Sequence, residues 1–240
     1  FMAGPATAAD SINAIEYAVF QEHKLTMDEL IHLCDTNFEG NEALRQYLIN
    51  RAPKYGNDIE RIDQRLADII EDLAHYYQNI RDCRGGRYSA GNMTQTHNVP
   101  LGSYCGATPD GRLAFTPISD NASPMMGRDT SGPTASANSV AKMHIEHNHA
   151  AQLYNTRFDP NSVSGENGIK IIEGVFRNYC ENGGYHIQAN VVDNETLRKA
   201  QKDPENYRDI VVRVSGYLAY FTELDEAVQQ TIIDRTIHLA

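Results

Sequence analysis

The sequence predicts a mixed α/β chain, and three observations predict it. Apolar residues follow the helical period through about the first eighty positions. A glycine-rich, polar middle then loses any sustained period. The last third alternates strand-like and helical segments, the pattern of an α/β protein. At 240 residues the chain is long enough for one large domain or two smaller ones.

The elements follow in order. Asp10 or Ser11 is placed to cap a first helix carrying Ile12, Ile15, Val19 and Phe20. Thr26 and Glu29 have capping-box spacing ahead of a second helix with Leu30, Ile31 and Leu33. "NEALRQYLI" gives a third, with Leu44, Tyr47 and Leu48 on one stripe. A long amphipathic helix is expected from about Asp58 to Ile80, with Ile62, Leu66, Ile69, Ile70 and Leu73 in register. The stretch that follows is dense in turn signals. In "TPDGR" (108–112) Pro109 presets φ and Gly111 accepts a positive φ. A second loop (119–139) leads into a short helix through Val140 and Lys142. A helix from Asn167 carries Ile171, Ile172, Val175 and Phe176. "YHIQANVV" reads as a strand, "NETLRKAQ" as a helix, "DIVVRV" as a strand and "LDEAVQQTIIDRT" as a final helix.

With 41% apolar and 22% charged residues the chain can bury a core and is not of disordered composition. A formal net charge of -11 leaves no basic patch to neutralise phosphates, which argues against a nucleic-acid partner. No apolar run approaches bilayer-spanning length, so no membrane partner is expected. The chain enters a helix from Phe1 without a leader, so a cytoplasmic location and a cut through a longer protein are expected. Cys34, Cys83, Cys105 and Cys180 are widely spaced with no C-x-x-C pair, as free thiols in a reducing compartment would be.

The segment "VVRVSGYLAYF" (211–221) sets Gly216 among bulky apolar residues, where strand interiors usually avoid glycine. Taken alone, Gly216 reads as a bulge residue in a packed strand. The surrounding motifs add a second reading. "RVSGYLAYF" resembles the glycyl radical enzyme signature, Arg-Val-x-Gly-Phe/Tyr-Ser-x-aromatic-Phe. "YHIQANVVDNETLRKAQKDPENYRDIVVRVSGY" is similar to that family's lead-in, and "GATPDGRLAFTPISDNASPMMGRDTSGPTASANSVAKM" to its Asp-Gly-Arg loop and Gly-Pro-Thr segment. "ADSINAIEYAVF" and "APKYGND" resemble its upstream helical section, so the likeness covers essentially the whole chain.

The resemblance implies the C-terminal part of a ten-stranded β/α barrel, with residues 1–110 in a pyruvate formate-lyase-like barrel domain and 118–240 as a glycine radical domain. It implies that Gly216 stores a radical at its α-carbon, delocalised over the flanking amide nitrogen and carbonyl. Such a centre must be planar, and glycine has no Cβ to crowd it. The apolar neighbours would then keep water and oxygen away. The implied partners are a radical S-adenosylmethionine activating enzyme with an iron–sulfur cluster, which installs the radical, and a small-molecule substrate. No cofactor or metal bound by this chain is implied. The radical would pass to a cysteine in a Gly-Cys-x-Glu loop, and none of the four cysteines has that context. The catalytic cysteine is therefore expected upstream of Phe1, in a missing N-terminal barrel portion. Leu218 stands where the family usually has Ser, which bears on local packing and recognition by the activator. The implied activity is that of the dehydratase and lyase branch. Formate C-acetyltransferase and a non-catalytic, radical-bearing repair subunit are the alternatives, and a homodimer is the implied assembly.

Other candidates rank lower. His144, His147 and His149 in "HIEHNH" lack the carboxylate or thiolate ligands a metal site would need at that spacing. His97 and His186 are expected on buried strands. The 88–102 stretch could line a substrate pocket. "GRDTSG" lacks the lysine of a phosphate-binding loop, and "DGR" is expected to be a structural turn with a buried Arg112.

Overall fold

A computed structural model of the chain describes residues 1–143 and 150–238. The run α1 (Pro5–Ile15) continues through a π-helical turn, Glu16–Gln21, and is followed by α2 (Met27–Asp35), α3 (Glu42–Asn50) and α4 (Glu60–Gln78). The short β1 (Gly91–Asn92) and α5 (Asn98–Gly102) lie in the glycine-rich middle, and α6 (Pro133–Ala141) ends it. Then come β2 (Ala151–Gln152), β3 (Tyr154–Phe158), α7 (Gly165–Glu181), β4 (Ile187–Val191), α8 (Asn194–Lys202), β5 (Val211–Arg213), β6 (Leu218–Tyr220) and α9 (Glu226–Asp234).

The first helix departs from the sequence expectation. It begins at Pro5, whose fixed φ suits the first helical position, so Asp10 is a buried interior residue and not a cap. Its buried face is made of small residues, Ala6, Ala9, Asn13 and Ala14, which let α4 approach closely. Ile12 and Phe20 point outward, 41% and 62% exposed. The second helix keeps to expectation: Thr26 accepts from the Glu29 amide while the Glu29 carboxylate accepts from the Thr26 amide. On α4, Ile62, Leu66 and Ile70 are buried at helical spacing and Leu73 is half-exposed. Gly111 closes the 108–112 turn at φ 92°, with its amide donating to the Thr108 carbonyl.

Three apolar clusters hold these elements. One joins α1 and α4 (Ala6, Ile62, Leu66) to the second half of the chain through Ala137, Tyr154 and Tyr179. A second packs α1 against α2 and α3 through Ala18, Leu30, Leu33 and Leu48. The third lies at the C-terminal end, where Leu197, Val212, Val214, Phe221, Ile232 and Ile233 meet.

Strands pair two by two among the described residues. β1 pairs with β2 in parallel, and β3 pairs with β4 in parallel register from Tyr154↔Ile187 to Phe158↔Val191, with α7 as the crossover. β5 and β6 form an antiparallel hairpin, Val211↔Tyr220 to Arg213↔Leu218. The strand β3 was not expected from the sequence, because "YNTRF" puts Asn155, Thr156 and Arg157 at fully buried positions. Arg157 offsets much of its burial through backbone carbonyls: its Nε donates to Val192 (2.9 Å) and its Nη1 to Ile232 (3.1 Å) and Ile233 (3.2 Å) at the end of α9. That contact sets the segment after α9, and with it Arg235, beside the hairpin.

Candidate functional site

Gly216 lies in the turn of the β5–β6 hairpin, where the Val214 amide donates to the Tyr217 carbonyl at 3.0 Å. Its φ is 87°, a left-handed conformation that glycine adopts without strain. Space is not the restriction: a Cβ there would have its nearest neighbours, Gln188 Nε2 and Leu153 Cδ2, at 3.9 Å. Gly216 is thus in a hairpin turn and not a bulge inside a packed strand, the reading it had when taken alone. Within this chain Gly216 is exposed and Tyr217, Leu218 and Tyr220 are 43%, 59% and 48% exposed. In a two-stranded ribbon only one face meets a core. Val212, Val214 and Phe221 take that face, and the alternate residues point outward.

The root of the turn is held by buried polar side chains acting on main-chain groups. Asn190 on β4 accepts from the Arg213 amide (2.8 Å) and donates to the Arg213 carbonyl (2.9 Å). Two residues earlier, on the same face of β4, Gln188 Oε1 accepts from the Gly216 amide at 3.2 Å. The Val214 carbonyl accepts from Asn155 of β3 (3.2 Å) and from Arg235 (2.8 Å). Arg235 also donates to Asp120 Oδ2 at 2.9 Å, and that oxygen accepts from Asn155 at 2.7 Å. Ser215 donates to Asn121 Oδ1, which is also bonded by the Thr94 amide at 2.7 Å. Asn121, Asn155, Gln188, Asn190 and Arg235 each bond the hairpin directly and Asp120 holds Asn155 and Arg235, which accounts for much of the polarity buried here.

Sequence reasoning singled out Gly216 but not Asp120, Asn121, Asn155 or Arg235. The alternation of Gln188 and Asn190 in "HIQAN" was the available signal for the β4 pair. None of the four cysteines lies within 4 Å of the position a Gly216 Cβ would take. Cys34 is half-buried on α2, and burial, with Asp110 and Asp35 nearby, pushes its thiol up to about 11. Cys105 donates to the Leu101 carbonyl at 3.3 Å, and Cys83 and Cys180 are exposed, Cys180 on α7 as expected.

The remaining sequence candidates are dispersed. His97 is not on a buried strand: it sits exposed in the turn before α5, its Nδ1 at 2.8 Å from the Thr94 carbonyl. Its backbone turns because Gln95 and Thr96 both take positive φ. His186 is half-buried immediately ahead of β4. Arg112 is buried and donates to the carbonyls of Leu113, Thr116 and Gly106, tying its loop together. In "GRDTSG" the amides of Thr130 and Ser131 are filled by Asn57 Oδ1, which leaves them committed within the chain. Met93, Thr94, Gln95 and His97 from the 88–102 stretch line an open surface cavity with Phe1, Ala3 and Leu101. His144, His147 and His149 lie outside the described residues. Among the described residues no group of His, Cys, Asp and Glu could hold a metal ion, and no helix is long and apolar enough to cross a membrane.

A family profile described as glycine radical matches residues 118–222, and one described as pyruvate formate lyase-like matches residues 1–102. The chain belongs to the glycyl radical enzymes. It is 40% identical over 97% of its length to trans-4-hydroxy-L-proline dehydratase of Clostridioides difficile, covering 29% of that protein. It is 39% identical over 98% of its length to isethionate sulfite-lyase of Bilophila wadsworthia, covering 28% of it. The glycerol-bound B12-independent glycerol dehydratase from Clostridium butyricum superposes with a TM-score of 0.94 at 39% identity, over 99% of this chain and 30% of that one. The chain thus spans just under a third of the length of the relatives it matches. Its α/β fold is that of the matching portion of these glycyl radical enzyme barrels. Family membership implies a radical that an activating enzyme installs.

Proposed function

We propose that this chain is the radical-storing, C-terminal part of a glycyl radical enzyme of the dehydratase and lyase branch, with Gly216 as the radical residue. The observation that carries the reading is the hairpin turn itself: a glycine whose amide is held by Gln188, preceded by the Arg213 and Val214 carbonyls, which are held by side chains from β4, β3 and the segment after α9. A fixed turn can be returned to one place after activation. In the activation step a Cα–H bond of Gly216 breaks homolytically, and the hydrogen atom goes to a radical that the activating enzyme makes from S-adenosylmethionine. The unpaired electron stays on Cα, shared with the amide nitrogen and the carbonyl.

Residues 1–110 are then the late part of a pyruvate formate-lyase-like barrel domain and 118–240 the glycine radical domain. The two share the first apolar cluster and so pack as one body. The catalytic cysteine belongs to the portion of the enzyme outside this chain, as do most residues that choose the substrate. The names of the relatives support C–O, C–S or C–C cleavage of a small molecule; a cytoplasmic location and anaerobic conditions belong to the proposal. The helical section matched over 1–102 exceeds what a radical-bearing repair piece needs, which favours the enzyme reading over that alternative.

Oxygen tests this. Activated protein exposed to air should be cut at Gly216, giving a long N-terminal fragment and a short C-terminal one by mass spectrometry. Gly216→Asn tolerates the left-handed turn and should yield no such cut. Scission elsewhere, or equal scission in the variant, would overturn the assignment of Gly216.

A further inference from the structure

The hydrogen-bonding roles around Gly216 are over-determined, and they extend one residue further than the turn. The Gly216 amide is a donor only, so the Gln188 atom it meets at 3.2 Å must be the carbonyl oxygen. That assignment turns the Gln188 NH₂ group toward His186, whose Nε2 lies 3.2 Å away. An NH₂ group donates only, so His186 Nε2 must accept and therefore carries no hydrogen. His186 Nδ1 is buried with no hydrogen-bond partner beyond its own residue, so the contact with Gln188 is the one that bears on the tautomer. Gln188 is itself buried, and the imidazole is half-buried, so water cannot readily replace either partner.

We propose that Gln188 and His186 are positioning residues for Gly216, and that neutral His186 is a condition for the hydrogen bond that fixes the Gly216 amide. Protonation puts a second donor opposite the Gln188 NH₂ group. The amide then turns over to offer its oxygen to the imidazolium, and its NH₂ group faces the Gly216 N–H. Two donors face each other, and the hairpin turn loses its tie to β4. The groups that face the imidazole agree with this sense. Burial, and then the Arg213 guanidinium on β5, hold its pKa below histidine's ordinary 6.5. From α7 the Tyr179 hydroxyl (3.3 Å) and from β3 the Tyr154 amide (3.1 Å) both donate to the His186 carbonyl. The consequence for catalysis rests on the reading of Gly216 as the radical residue, because that amide nitrogen is the one that would share the spin.

The test is nuclear magnetic resonance on the 240-residue chain labelled with ¹⁵N-glycine and ¹⁵N-histidine. Near neutral pH, His186 should show the Nδ1–H tautomer and the Gly216 amide should exchange slowly for its exposed position. As pH falls through the His186 titration, Gly216 exchange, corrected for its intrinsic pH dependence, should quicken by about threefold to tenfold, the worth of one such bond. Gln188→Leu should show the fast exchange at every pH. Gln188→Glu is the conservative variant: its carboxylate accepts from both partners, so His186 should titrate higher and Gly216 stay protected at low pH. Should Gln188→Leu not fold, Gln188→Glu alone decides. An Nε2–H tautomer beside a protected Gly216, or Gly216 exchange indifferent to the His186 titration, would overturn the proposal. If this coupling is found but activation never yields a radical, the radical reading falls and the relay stands. A radical formed in a chain without the coupling overturns the relay and leaves Gly216 as the radical residue.

Discussion

Beneath α1, Asp10, Lys54, Asp110 and Arg128 gather as buried or half-buried charges; beneath the hairpin, Asp120 and Arg235 sit among Asn121, Asn155, Gln188 and Asn190. In the first group the titratable groups act on one another at a distance, while Asp10 and Lys54 direct their hydrogen bonds to backbone. Asp10 Oδ1 accepts from the Tyr55 amide at 2.8 Å, and Lys54 Nζ donates to the carbonyls of Leu48 (2.6 Å) and Ala52 (2.9 Å). Burial holds the Asp10 carboxyl protonated up to about 8 and pulls Lys54 down to about 8. In the second group the one ion pair is in direct contact and the rest are amides, which do not titrate. The difference teaches what each is for. The first group joins helices and makes stability depend on pH, whereas the second fixes the main chain at one turn.

Breaking the second network should have the largest effect. Arg235→Leu removes the partner of a buried Asp120 and the donors to two hairpin carbonyls, and should cost about 3 kcal/mol of stability by urea unfolding. A loss below about 1 kcal/mol would mean that the pair is not buried as described.

The next effect lies in the first network and concerns pH. The folded chain keeps a proton on Asp10 that the unfolded chain has lost between 3.8 and about 8, so stability should fall as pH rises through that window. Asp10→Asn keeps an acceptor for the Tyr55 amide and should flatten this slope, overtaking the parent chain toward the alkaline end. Parallel curves for the two proteins would show that Asp10 is ionised in the fold.

Smaller effects separate conformation from chemistry at the turn. Gly216→Ala should cost about 1–2 kcal/mol, because its Cβ has room but its backbone must hold φ 87°. Gly216→Asn should cost less, since asparagine bonds locally in that conformation. Equal losses in the two would point to packing and not to the backbone angle. Thr26→Ala, which touches neither network, should lose about 1 kcal/mol through its cap alone and leave the Asp10 slope unchanged.

Helices with a wide apolar stripe and a cap were legible in the sequence, as Thr26 and the Ile62–Leu66–Ile70 series show. The start of α1 was not, because its buried face is alanine and asparagine and so carries no apolar period. β3 escaped for the same reason in reverse: Asn155 and Arg157 are polar to the eye, and only the tertiary partners on the hairpin and α9 explain their burial. At the site, the motif around Gly216 was readable in one stretch of chain. The residues that hold it were not, since Asp120, Asn155, Gln188 and Arg235 come from four segments that meet only after folding.

The central claim is that Gly216 stores an unpaired electron, and anaerobic electron paramagnetic resonance tests it most directly. The protein is treated with an activating enzyme of the radical S-adenosylmethionine class, S-adenosylmethionine and a reductant. The expected signal is a doublet from the one hydrogen left on the α-carbon, collapsing to a singlet when glycine deuterated at Cα is incorporated, and absent from Gly216→Asn. No signal from the parent chain or from the longer enzyme that contains it, or a signal that survives in Gly216→Asn, would contradict the claim.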